Sequence, residues 1–321
     1  MLATAQTLTD WRGAFSARIR QLASERTAAA YGQALAAFER YFEQANRQPF
    51  SPELLNSWDL RGWRSHTLEA EQLSPATWNL RRAAVKALAA FCQQIGAIAN
   101  DPSAELAGAE QQTLPPAWLT YAEFGALMRR LEIEINAANT DLRRWRAIRD
   151  QAMVMVMAHA GVREGELVAL TVADVQLGER AGRLVVRLGK GQKRREIPLN
   201  REARRAIGAW LEARAAAEIS GAWLFVDERS CPLSTRAVQK RVAALGAAAG
   251  VAELTPHRLR HTCAKRMIDA GRALTEVQLI LGHARIETTA RYTQAGWEDL
   301  EEAVESVGYG KARKNDNRGK A

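Results

Sequence analysis

A chain of 321 residues that is 47% hydrophobic and 25% charged has the composition of a folded protein and the length of two ordinary domains, which excludes a disordered chain. Its 45 Lys and Arg exceed its 36 Asp and Glu, and the resulting formal charge of +9 favours polyanionic partners such as nucleic acid. The three cysteines, Cys92, Cys231 and Cys263, stand far apart without a CxxC pair, so neither a disulfide framework nor a structural zinc site is indicated.

No apolar run approaches the roughly 20 residues that span a bilayer, and the first thirty residues lack the apolar block of a signal peptide. A cytoplasmic protein is therefore expected.

From Trp11 to about Ile98 the chain is Ala-rich with a helical period. Tyr31, Leu35, Phe38 and Phe42 share one face and read as core. A second helix over residues 74–94 starts with Ser74 as cap and Pro75 in the first turn, and sets Trp78, Val85, Leu88 and Phe91 to one side. Arg81, Arg82 and Lys86 occupy its other face, either as a solvated face or as a helix laid against DNA phosphates.

Near Asn100 the helical pattern breaks in NDPSAELAGAEQQTLPPAW, whose three prolines and small residues suit an interdomain linker, with a boundary close to residue 112. A second domain opens with LTYAEFGALMRRLE, where Thr120 and Glu123 have capping-box spacing, and continues with an apolar helix around residues 150–160. In RLVVRLGKGQKRREIPLN, alternating β-branched residues flank Gly189, Lys190 and Gly191, which predicts a two-stranded hairpin. Beyond Arg201 the chain is again mainly helical, and it ends in a basic tail, KARKNDNRGKA.

Four segments carry residues suited to phosphate chemistry. In HAGVREGELVAL, Arg163 and Glu166 fall on one side of a turn, and an arginine meant for a phosphate needs such support to present its planar fork. Lys190 sits at the hairpin tip, where it could give a proton to a leaving oxygen. In LTPHRLRHTCAKRMIDAG, Thr255 caps a helix that begins at Pro256, so His257 and Arg260 share a face at a helix N-terminus, where anions are favoured. His257 and His261 have a metal-compatible spacing, but no HExxH glutamate is present and Arg258 and Arg260 disfavour a dication; no metal is expected. In LTEVQLILGHARIETTARYTQ, Thr275 and Gln278 suggest a capping box, Gly282 a helix stop, and His283 stands nine residues before Tyr292. Each segment alone has an ordinary structural reading: a surface ion pair, an exposed turn, a packed tyrosine.

Together, GVREGEL, GKGQK followed by REIPL, TPHRLRHTCA and LGHARIETTARYT resemble the active-site motifs of the tyrosine recombinases, the family of phage integrases and Xer-type recombinases. The likeness is close over roughly residues 115–295 and looser over ERTAAAYGQALAAFERYF, which is similar to the family's core-binding domain. It implies a mainly α fold with a small β-hairpin or sheet in the catalytic domain, in two domains that form a C-shaped clamp on DNA. The divisions expected are a helical, SAM-like DNA-binding domain over 1–105, a linker over 106–116, a catalytic domain over 117–296, and a C-terminal helix and basic tail over 297–321.

The resemblance further implies that Tyr292 attacks a DNA phosphodiester to give a 3′-phosphotyrosyl intermediate and a free 5′-hydroxyl. Arg163, His257, Arg260 and His283 would surround the phosphate, Lys190 would protonate the leaving oxygen, and Glu166 would orient the arginines. Neither metal, ATP nor another cofactor is implied. The partners implied are double-stranded DNA with inverted core sites and three further copies of the chain, in a nucleoid-associated tetramer. A type IB topoisomerase shares this chemistry, and a DNA-binding protein without catalysis would not need the full residue set.

Overall fold

Asp10, Ser24, Asn56 and Ser74 each start a helix by accepting a backbone N–H with the side chain, which satisfies donors that the first helical turn leaves without partners. The helices are α1 (Trp11–Leu22), α2 (Glu25–Asn46), α3 (Ser57–Ser65) and α4 (Pro75–Gln94), with Pro75 in the first turn of α4. They belong to the first of two compact units, residues 1–113 and 114–321; the computed structural model describes residues 10–110, 117–187 and 194–282.

The first unit is held by aromatic packing. Phe38 stands 5.0 Å from Trp63 and 5.2 Å from Phe50 between ring centroids, and Trp63 meets Trp78 edge-on at 5.7 Å. Leu35, Phe38 and Phe42 are buried along α2 as their spacing requires, with Tyr31 packed at the margin of the same core. Val85, Leu88 and Phe91 are buried with Trp78 on α4.

The segment after α4 is tied back onto it: Trp78 Nε1 donates to the Ala107 carbonyl at 3.0 Å, Asn79 exchanges two hydrogen bonds of 2.9 Å with Ala109, and Leu106 is buried. Residues 106–109, where the sequence suggests the start of a linker, thus pack on the first unit. An apolar Leu106 and four backbone groups with side-chain partners account for it.

In the second unit, Thr120 and Glu123 form the expected reciprocal capping box at the start of α5 (Tyr121–Asn136). Helix α6 (Asp141–Ala160) is buried almost all round from Ala152 to Ala160, as suits a helix at the centre of a domain rather than on its surface. It ends at Gly161, whose φ of 61° is left-handed. The short α7 (Glu164–Val168) follows at once.

The hairpin is one part of a larger sheet. β1 (Val175–Leu177), β2 (Gly182–Val186) and β3 (Arg195–Pro198) form an antiparallel sheet in that order, with Val175 opposite Leu184 and Leu184 opposite Ile197. The sequence pattern misses β1 because three residues are too few to display a period. Helices α8 (Arg201–Ala216) and α9 (Thr235–Ala248) pack around α6 and the neighbouring helices, and Trp210 of α8 donates its indole N–H to the Leu224 carbonyl at 2.8 Å.

Helix α10 (Pro256–Asp269) begins as predicted, with Thr255 accepting from the Arg258 N–H and Pro256 in the first turn. Helix α11 (Leu274–Leu281) does not begin with a Thr275–Gln278 box. Its cap is Ala273, whose N–H is taken by the Glu276 carboxylate at 3.3 Å. Gly271, at φ 72°, turns the chain after α10, and the N–H of Arg272 returns to the Met267 carbonyl at 3.0 Å. That turn fixes where α11 starts and overrides the capping preference of threonine. Gly282, at φ 66°, ends α11 as expected. No described helix is long and apolar enough to cross a membrane.

Candidate active site

The last three residues to close the described chain, Ile280, Leu281 and Gly282, have backbone carbonyls at a helix C-terminus, where partial negative charge collects without internal partners. Each carbonyl is met by a different arginine. Arg195 Nε donates to Ile280 at 2.9 Å, Arg260 Nη2 to Leu281 at 2.8 Å, and Arg163 Nη2 to Gly282 at 3.0 Å.

Local structure delivers these three side chains. Because Gly161 stops α6 in the left-handed region, the chain leaves that helix and presents Arg163, in an extended conformation, at the cap position of α7. A Cβ on Gly161 would lie 2.5 Å from the Leu281 side chain, so glycine is needed both for its φ and for the approach of α11. Arg260 projects from the second turn of α10, is 1% exposed, and also donates to the Gly161 carbonyl. Arg195 opens β3 on the face shared with the buried Ile197.

Glu166 binds the arginines together. Its carboxylate accepts from the Arg163 backbone N–H at 2.8 Å and from Arg163 Nη1 at 2.9 Å, and it is gripped by both terminal nitrogens of Arg195 at 2.9 and 2.7 Å. Burial alone would raise its pKa. Hydrogen bonds from Arg195 and the Arg163 N–H, with the charges of both guanidiniums, outweigh that and hold it below the usual carboxylate value. Glu166 is therefore an anion whose charge is spent on two arginines.

His257 lies on the open side of α10, one turn before Arg260. The protein around its ring, then the positive charges of Arg260 and Arg163, lower its pKa, with Glu164 acting weakly in the other direction. The imidazole is neutral at neutral pH and has one nitrogen able to accept a proton. Its ring meets that of His261 edge-on, 4.3 Å between centroids. Among the described residues no group of three or more His, Cys, Asp or Glu is placed to hold a metal ion. Arg258, the other arginine of the HRLRH stretch, faces away and pairs with Glu123 at 2.7 Å.

Of the residues singled out from sequence, Arg163, Glu166, His257 and Arg260 are thus brought together. Lys190, His283 and Tyr292 lie outside the described residues, as does the expected C-terminal helix. Arg81, Arg82 and Lys86 have partners within the first unit: Arg81 bonds Thr67 and Glu71 at 2.9 and 2.5 Å, Arg82 donates to the Leu106 carbonyl at 2.5 Å, and Lys86 to that of Ala104 at 3.4 Å. Sequence reasoning misses Arg195. Its one signal in the chain is a charged residue on the same face of a predicted strand as Ile197.

Comparison with known proteins agrees with the motifs. The profile of the phage integrase family matches residues 128–298, and that of the phage integrase N-terminal SAM-like domain matches residues 18–94. A tyrosine recombinase XerC of Chromohalobacter salexigens is 41% identical over 165 residues, which cover 50% of this chain and 53% of the relative. One of Shewanella oneidensis is 33% identical over 241 residues, 75% of this chain and 74% of that protein. The chain spans about half the length of the first of these relatives and three quarters of the second. The crystal structure of the XerH site-specific recombinase bound to a palindromic difH substrate, in its post-cleavage complex, has the same fold, with a TM-score of 0.69 and 24% identity over 87% of this chain and 79% of that one. With one family profile covering more than half of the chain and a second matching its N-terminal unit, the chain belongs to the phage integrase family.

Proposed function

We propose that this protein is a site-specific recombinase that cuts and rejoins double-stranded DNA through Tyr292. The tyrosine oxygen attacks the phosphorus, the bond to the 5′ oxygen breaks, and the phosphate stays joined through its 3′ side to the protein. The ester bond is kept for rejoining, so no ATP is consumed. The tyrosine proton passes to a histidine, His257 or His283, and Lys190 supplies a proton to the departing 5′ oxygen.

The observation that carries this reading is the convergence of Arg163 and Arg260 on the carbonyls of Gly282 and Leu281, directly before the segment that holds His283 and Tyr292. Two guanidiniums beside the nucleophile's segment suit the nonbridging oxygens of a phosphate and the charge that grows on them in the transition state. The lowered pKa of His257 supports its role as proton acceptor, since only a neutral imidazole can take the tyrosine proton. Glu166 supports the arginines from behind; facing the phosphate it would repel it.

Strand exchange joins two cut duplexes, so four copies of the chain act together on paired, inverted core sites. The first unit holds the duplex through its helices. Arg81, Arg82 and Lys86 would serve there only with donors beyond those bound to Thr67, Glu71, Leu106 and Ala104.

The test works without a defined target site. Cells making the protein are lysed in detergent, protein-linked DNA is recovered, and the attached 3′ ends are sequenced. The expected result is one family of ends with the wild-type chain and none with Tyr292→Phe. Adducts retained by Tyr292→Phe would remove Tyr292 from the reaction.

A further inference from the structure

We propose that Arg195 is a positioning residue for DNA cleavage: through Glu166 it sets Arg163, and through the Ile280 carbonyl it sets the start of the segment that carries His283 and Tyr292. The inference rests on the recombinase reading above.

Four observations support it. One side chain, that of Arg195, holds both partners, Glu166 in a two-pronged bond at 2.9 and 2.7 Å and the Ile280 carbonyl at 2.9 Å. All three nitrogens of its guanidinium, Nε, Nη1 and Nη2, donate to these two partners. Gly282 is shaped around it, because a Cβ there would lie 2.8 Å from Arg195 Nη1. The same residue begins β3, shortly after the 188–193 segment that contains Lys190.

Without Arg195 the carboxylate has a different effect. Glu166 shares its oxygens between two guanidiniums; with Arg195 removed, the whole anion is left to Arg163 and draws that fork toward itself. The Ile280 carbonyl loses its donor, and the C-terminus of α11 loses one of three ties. A lysine cannot substitute, since a single ammonium cannot reach two carboxylate oxygens and a carbonyl in one plane. A displacement of about 1 Å at a reacting group can cost about 100-fold in rate. Arg195 thus acts through other residues and touches no DNA.

Single-turnover adduct formation tests this, on suicide duplexes built from the ends recovered with Tyr292. One duplex carries the natural 5′ oxygen and another a sulfur in its place, which departs without a proton. Arg195→Ala is expected to slow adduct formation about 100-fold on both duplexes, with DNA affinity little changed. Arg195→Lys, which keeps the charge and serves if the alanine variant folds poorly, should recover little of the rate. The double variant Arg163→Ala with Arg195→Ala should lose less than the product of the two single losses, because the part of the Arg195 effect that passes through Glu166 to Arg163 is already gone, while the part that passes through the Ile280 carbonyl remains. A rate equal to that of the unaltered chain, rescue by the sulfur duplex, or losses that multiply in the double variant would each overturn the role given to Arg195. If the unaltered chain forms no adduct, the recombinase reading falls and this inference with it; if it does and Arg195→Ala matches it, only the inference on Arg195 falls.

Discussion

Arg163 and Arg260 donate to adjacent carbonyls, those of Gly282 at 3.0 Å and Leu281 at 2.8 Å, although one caps α7 and the other lies within α10. Two cations brought this close repel, and the arrangement is stable because negative charge is placed between and behind them. The carbonyl ends of α11 supply part of it and Glu166 the rest. In the recombination proposed above, donors held in this way would be in place before the phosphate arrives.

The two arginines should respond differently to removal. Arg163 is 38% exposed in its side chain, so Arg163→Ala is expected to fold and to melt close to the unaltered protein while its cleavage rate falls at least about 100- to 1000-fold. Arg260 is buried and serves the carbonyls of Gly161 and Leu281. Arg260→Ala should therefore lose cleavage and also stability, at about 1 to 3 kcal/mol for each carbonyl left without a donor. Thermal melting beside single-turnover cleavage separates the two; cleavage near the unaltered rate in either variant would remove that arginine from the clamp.

What the sequence reveals follows from how far each signal reaches along the chain. Thr120 with Glu123, Thr255 with Pro256, and the stop at Gly282 act within one helical turn, and the structure has all three as read. The start of α11 is misplaced by its local pattern because the Gly271 turn, a feature of the preceding helix, sets it. β1 exists only by pairing with β2, so nothing in Val175–Leu177 announces it. Arg195 meets Glu166 and Ile280 only after β3 and α11 have packed, and no spacing in the chain encodes that. Family motifs bring Arg163, His257 and Arg260 into one set; the carbonyls that hold the two arginines are visible only in the fold.

The acid limb of stability offers a check on Glu166. Its folded pKa lies below the ordinary value of 4.5, so its contribution is fully present above that pH and is lost as pH falls through the lower folded value. Glu166→Gln removes the anion and leaves Arg163 and Arg195 facing each other, a change of about 3 to 5 kcal/mol for a buried pair, expected at the low end because Arg163 is partly solvated. Denaturant unfolding of both proteins from pH 7 to pH 3 should give a stability difference that is constant at first and shrinks below about pH 4.5. A difference that stays level across the whole range would mean that Glu166 does not hold the arginines as an anion.

Gly161 tests whether the joint between α6 and α11 is tight. At φ 61° an L side chain is strained by about 1 to 3 kcal/mol, and its Cβ would press on Leu281, which is fully buried and cannot swing into solvent. Relief requires the end of α11 to move, and with it the carbonyl that Arg260 holds. Gly161→Ala should therefore lower the denaturation midpoint and also reduce cleavage under conditions where the variant is fully folded. Gly165 is the matched control: it lies inside α7, and a Cβ there would meet nothing within 4 Å, so Gly165→Ala should leave stability unchanged or raise it by up to about 1 kcal/mol. Equal midpoints for the two variants would show that α11 is not seated against Gly161, and cleavage lost only in proportion to unfolding would show that its seating does not position the arginines.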